Sequence, residues 1–65
     1  MQITINGEQR SLTQQTVLQL LQSLDIDPRR VAVELNLEIL PKAEYETASL
    51  ADGDRIEIVH FVGGG

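Results

Sequence analysis

The sequence predicts an α+β fold of two layers, a sheet of four to five strands with one main helix packed on one face. Three observations predict it. Short runs alternate polar and apolar side chains, the period-two mark of half-buried strands. A single stretch repeats its apolar residues at helical spacing instead. Turn residues with defined backbone preferences stand between the runs. One helix with one apolar stripe has one sheet face to cover, and that limits the architecture to two layers.

In chain order, Gln2-Ile3-Thr4-Ile5-Asn6 alternates, Asn6-Gly7 supplies two residues that tolerate positive φ, and Glu8 to Leu12 runs back as the second half of a hairpin. Thr16 is expected to cap the helix, with Gln19 completing a capping box. Val17, Leu20, Leu21 and Leu24 form the helical stripe, which Leu18 widens. Asp25 to Pro28 is expected to end the helix, because proline lacks a donor and disfavours helical geometry just before it. Arg30 to Leu35 alternates again, with Val31, Val33 and Leu35 on one face. Asn36-Leu37 reads as a tight turn, Glu38-Ile39-Leu40 as the return strand and Pro41 as its stop. Lys42 to Tyr45 reads as a single helical turn, with Tyr45 or Leu50 tucked under the domain. Asp52-Gly53-Asp54 is a turn, since Asp caps its own turn and Gly accepts positive φ. The strand Arg55 to Phe61 follows, and then Val62-Gly63-Gly64-Gly65.

The 65 residues bound the chain to one domain, residues 1–62, followed by a flexible glycine tail, residues 63–65. A domain of this size buries only roughly 60% of the surface its unfolded chain exposes. With no cysteine and one histidine, disulfides and thiolate metal sites are excluded, so compact packing must supply the stability. No apolar run approaches the roughly 18 residues of a spanning helix, and Met1 opens directly onto a strand pattern; no membrane partner and a cytoplasmic location are expected. Ten acidic residues against five basic ones leave a net charge of −5. That balance repels phosphate backbones and anionic lipid, so no nucleic acid is expected as a main partner. It favours solubility and long-range attraction to a partner with a basic docking surface.

The inventory for catalysis is thin, and neither a catalytic residue nor a metal ligand set is expected. His60 stands alone between Val59 and Phe61, and a catalytic imidazole needs a nucleophile or an orienting carboxylate in reach. The pairs Asp25/Asp27 and Asp52/Asp54 flank Pro28 and Gly53, so turn formation accounts for them. No glycine loop joins a strand to a helix in the manner of a nucleotide fingerprint.

The glycines instead finish the chain. Without Cβ atoms, Gly63, Gly64 and Gly65 pass through a channel too narrow for side chains. Extended, they reach roughly 10 Å beyond the residue before them. The α-carboxylate at the tip has an unperturbed pKa of about 3.5 and is ionised at neutral pH. A carboxylate is a poor electrophile and a competent nucleophile towards the α-phosphorus of ATP. Adenylation converts a bad leaving group into AMP, after which a sulfur nucleophile can attack the carbonyl.

Three segments together resemble the ThiS family, the sulfur carriers of thiamin thiazole biosynthesis. They are Val31-Ala32-Val33-Glu34-Leu35-Asn36 with Glu38-Ile39-Leu40-Pro41, then Leu50 to Val59 through Asp52-Gly53-Asp54, and the ending Phe61-Val62-Gly63-Gly64-Gly65. The resemblance covers essentially the whole chain. It implies the β-grasp, or ubiquitin-like, fold, a mixed sheet with the first and last strands side by side at its centre and one face left open. It also implies a protein co-substrate rather than an enzyme. An ATP-dependent activating enzyme adenylates the terminal glycine, cysteine-derived sulfur converts it to a thiocarboxylate, and thiazole synthase accepts the sulfur. Carried over by position, Gly65 is the residue modified, and Gly63 and Gly64 thread into the partner's active site. No cofactor is bound, ATP being used by the activating partner, and a monomer is expected when free. Leu37 departs from the pattern, since relatives commonly carry glycine there.

The nearest alternative is the small subunit of molybdopterin synthase, which shares the fold and the thiocarboxylate chemistry and differs in the acceptor. A ubiquitin-like modifier or a plain interaction domain is a further one, although Lys42 is the sole lysine for chain building. If Ile56 and Ile58 face the helix, then Val59 and Phe61 face the open side of the sheet. They are the residues expected to touch a partner.

Overall fold

The computed structural model describes residues 1–61. Strands β1 (Gln2–Ile5) and β2 (Glu8–Ser11) form the opening hairpin, followed by helix α1 (Val17–Ser23) and a second hairpin of β3 (Val31–Leu35) and β4 (Glu38–Leu40). The last strand, β5 (Arg55–His60), completes a five-stranded sheet in the order β2-β1-β5-β3-β4. β1 and β5 run parallel, and the other neighbours are antiparallel, so the sheet is mixed with the first and last strands adjacent.

Both hairpins turn on two left-handed residues, Asn6 (φ +48) with Gly7 (φ +84), and Asn36 (φ +53) with Leu37 (φ +71). This geometry matches the right-handed twist of the flanking strands. The two asparagines also extend the ladders on either side of β5. Asn6 Oδ1 accepts from the Ile58 amide at 2.7 Å, and its Nδ2 donates to the Ile58 carbonyl at 3.2 Å. Asn36 Oδ1 accepts from the Arg55 amide at 2.9 Å, and its Nδ2 donates to Asp54 Oδ1 at 3.0 Å. Each side-chain amide thus stands in for a strand peptide where its own strand has already turned away.

Helix α1 is short, and its start is held by contacts from far along the chain. Thr16 Oγ1 accepts from the Gln19 amide at 3.1 Å, as expected of an N-cap. Gln19 Oε1 reaches back to the amide of Gln15 at 2.9 Å rather than to Thr16, so the box closes one residue early. The amides of Val17 and Leu18 donate to the carbonyls of Ala48 and Tyr45, which satisfies donors that a helix start leaves unpaired.

The helix ends sooner than the proline signal suggests. Asp25 adopts φ +57, its amide donates to Gln22 and the amide of Ile26 donates to Leu21. That is a Schellman closure with aspartate where glycine is usual. Pro28 instead opens a separate 3-10 turn, Pro28–Arg30, capped by Asp27.

The core lies between α1 and one sheet face. Ile3, Ile5, Val31, Val33, Ile56 and Ile58 contribute from the sheet, and Val17, Leu20 and Leu21 from the helix. Tyr45 and Leu50 close the end of this core, both of them buried as the sequence suggested. Tyr45 directs its hydroxyl to the Val31 carbonyl at 3.4 Å, and burial pushes the phenol above its ordinary pKa of 10.0. The remaining turn carboxylates bond to backbone amides, Asp52 to Gln2 at 2.6 Å and Asp54 to Ala51 at 2.8 Å. Asp54 thus closes its own turn, and Asp52 ties that turn to β1.

Candidate functional site

The alternation of β5 decides which of its residues the domain keeps. Ile56 and Ile58 point into the core, at 0% and 6% exposure, while Val59 and Phe61 remain 56% and 60% exposed on the opposite face. Among the described residues, no helix covers that face. Val59 lies opposite Ala32 of β3, and the Phe61 amide donates to the Arg30 carbonyl at 2.9 Å. Phe61 is therefore held at the sheet's end by a backbone bond, with its ring left in solvent.

Three of the five basic residues gather at this end. Lys42 Nζ sits 5.0 Å from the centroid of the Phe61 ring and donates to the Arg29 carbonyl at 2.9 Å. That distance is within cation–π reach. Asp27 Oδ2 pairs with Arg29 at 2.9 Å and with Arg30 at 3.7 Å. Hydrogen bonds from the Arg29 side chain and amide hold the Asp27 carboxyl down at about 2. Lys42, Arg29 and Arg30 thus make this end locally basic, with Asp27 between the two arginines, although the net charge of the chain is −5.

This basic end was not anticipated from sequence. Arg29-Arg30 and Lys42 are far from Phe61 along the chain; the antiparallel β3–β5 register sets Arg30 beside it, and the turn after β4 lays Lys42 over its ring. Ile39, 80% exposed on β4, was likewise not singled out. Gly63, Gly64 and Gly65 lie outside the described residues.

His60 points to the other face, into an open groove of about 410 Å³ that Ile5, Glu8, Arg10, Leu24 and Ile26 also line. Among the described residues, no group of three or more His, Asp or Glu side chains is placed to hold a metal ion. No helix among them is long and apolar enough to cross a membrane.

A profile of the ThiS family, compared with this sequence, matches residues 3–65. The chain belongs to the ThiS family. The sulfur carrier protein ThiS of Bacillus subtilis is 50% identical to it over 50 residues, covering 77% of this chain and 76% of that one. The crystal structure of the thiamine biosynthesis protein ThiS from Geobacter metallireducens superposes with a TM-score of 0.85 at 33% identity, over the full length of both chains. The fold is accordingly the ThiS β-grasp. A thiazole synthase of Paramagnetospirillum magneticum is 52% identical over 66 aligned residues, which span all of this chain and 20% of that protein. The chain therefore spans about a fifth of the length of the thiazole synthases it matches.

Proposed function

We propose that this ThiS-family chain is a sulfur carrier for thiazole-ring synthesis in thiamin formation, and that its reactive group is the Gly65 carboxylate. The observation that carries this reading is a family match that runs through residue 65 and includes the glycine end. In the first step a carboxylate oxygen of Gly65 attacks the α-phosphorus of ATP on an activating enzyme, and pyrophosphate leaves. A sulfur nucleophile derived from cysteine then adds to the acyl carbon, and AMP departs with the electron pair of the broken C–O bond. The resulting thiocarboxylate surrenders its sulfur to thiazole synthase.

The folded body contributes position and contacts. β5 is bonded to β1 at its start and to β3 along its length, and the Phe61 amide is tied to the Arg30 carbonyl, so the chain is held to the sheet up to Phe61. Gly63 and Gly64 form an approach without side chains, and Val59 and Phe61 form an apolar contact beside it. The likeness to a segment of thiazole synthases supports that enzyme as the acceptor. The chain acts as a co-substrate, and catalysis belongs to its partners.

Intact-mass spectrometry tests the reading. The chain is incubated with a ThiS-activating enzyme, ATP and a cysteine-derived sulfur source, alongside a known carrier. The expected product is heavier by the exchange of one oxygen for one sulfur, and removal of Gly64 and Gly65 abolishes the change. An unmodified mass, while the control carrier is converted, overturns it.

A further inference from the structure

The uncovered sheet face carries an ordered charge pattern. On β3 and the residue before it, Arg30, Ala32 and Glu34 share this face. On β5 and the residue after it, Arg55, Glu57, Val59 and Phe61 do so, and Ile39 joins them from β4 opposite Glu34. The antiparallel register stacks them in rows, with Glu34 opposite Glu57 and Ala32 opposite Val59, and with the Phe61 amide bonded to the Arg30 carbonyl in the third row. Lys42 joins that third row by lying over the Phe61 ring. An acidic pair and a basic group thus flank the apolar Ala32–Val59 row on its two sides, with Ile39 beside the acidic pair and Arg55 beyond it.

Glu34 and Glu57 form no ion pair among the described residues. Like charges directly opposite each other in a ladder are destabilising. They flank a row whose Val59 is 56% exposed, with Phe61 at 60% beyond it. A body that covers the apolar row is favoured when it brings cations to the two carboxylates and anions to the Phe61 end.

A second copy of the chain supplies both. Consider a two-fold axis lying between two such faces, perpendicular to the strands and crossing the Ala32–Val59 row. It brings the acidic row of each copy over the basic row of the other and leaves β3 over β3 and β5 over β5. Glu34 then faces Arg30 of the second copy, Glu57 faces Lys42 and Phe61, and the Val59 side chains meet at the axis. Such an isologous contact is self-complementary by construction, and its charges cancel locally.

We infer that the open sheet face is a self-association surface, forming a weak two-fold dimer that hides Val59 and Phe61. The contact is of the small, transient class, opposed by the net charge of −5 on each copy. The free chain is a monomer when dilute and dimerises when concentrated. The inference is independent of the sulfur chemistry, because its readout is mass in solution.

Sedimentation velocity on the full chain over a wide concentration range provides the test, with circular dichroism to check folding. Two paired variants are compared. Glu34→Arg with Glu57→Lys makes both flanking rows basic, and Arg30→Glu with Lys42→Glu makes both acidic. Each alone is expected to weaken dimerisation by about tenfold or more, because every facing pair becomes a repulsion. An equimolar mixture of the two is expected to restore association as a heterodimer. A native chain that stays monomeric at every concentration overturns the inference. So does a mixture of folded variants that fails to associate.

Discussion

Leu37 occupies the second position of the β3–β4 turn at φ +71, a region where a Cβ costs roughly 1–2 kcal/mol. Its side chain is 70% exposed, so little burial offsets that cost. Glycine removes the clash and completes the Asn-Gly pair that two-residue turns favour. Leu37→Gly is expected to stabilise the domain by about 1 kcal/mol, after allowance for the greater freedom of glycine in the unfolded chain. Urea denaturation measures it as a higher midpoint at constant slope. An unchanged or lower midpoint would show that the turn carries no such strain. Asn6 and Asn36 illustrate the opposite use of the same backbone region. There the left-handed residue keeps a side-chain amide aimed along the strand edge, where it completes the ladder to β5.

Among the elements, the link between α1 and β3 has the clearest response to pH. The 3-10 turn Pro28–Arg30 depends on Asp27, whose Oδ1 accepts from the Arg29 amide and side chain at 2.9 and 3.1 Å. The folded-state carboxyl lies near 2, below its ordinary 3.8. A depressed carboxyl favours folding above the ordinary value, and that contribution is lost as pH falls towards the folded value. Asp27→Asn is therefore expected to lower the urea midpoint above about pH 4, with the gap to the native chain closing by about pH 2. A gap of constant size across that window would assign the effect to shape rather than charge. Because both groups are at the surface, the effect is expected to be modest and to shrink with salt.

At the scale of the whole molecule, the core and the proposed partner contact lie on opposite sheet faces. The helix side holds Ile3, Val33 and Ile56 at no more than 1% exposure, while Val59 and Phe61 project from the other side. Replacing both Val59 and Phe61 by serine is expected to shift stability by no more than about 1 kcal/mol, the sum of two surface substitutions. If the activating enzyme buries these side chains at about 2 kcal/mol each, the same change slows sulfur loading by at least about tenfold at low carrier concentration. Initial rates of thiocarboxylate formation by mass spectrometry provide the check. Unaltered loading by the folded double variant would remove this face from the partner contact.

The sequence by itself determined the elements and the family. Period-two runs, the leucine stripe, the Asn-Gly and Asp-Gly-Asp turns and the glycine ending are local patterns, each enforced by backbone sterics or by the need to bury one face. They were legible without coordinates, as was the exposure of Val59 and Phe61 once Ile56 and Ile58 were assigned to the core. Tertiary structure decided what depends on register. The pairing of Asn6 with β5 and the gathering of Arg29, Arg30 and Lys42 at the Phe61 end join residues that sequence order keeps apart. Their positions follow from where β5 docks between β1 and β3, because strand pairing fixes neighbours at long range while side-chain periodicity reports only which face is buried.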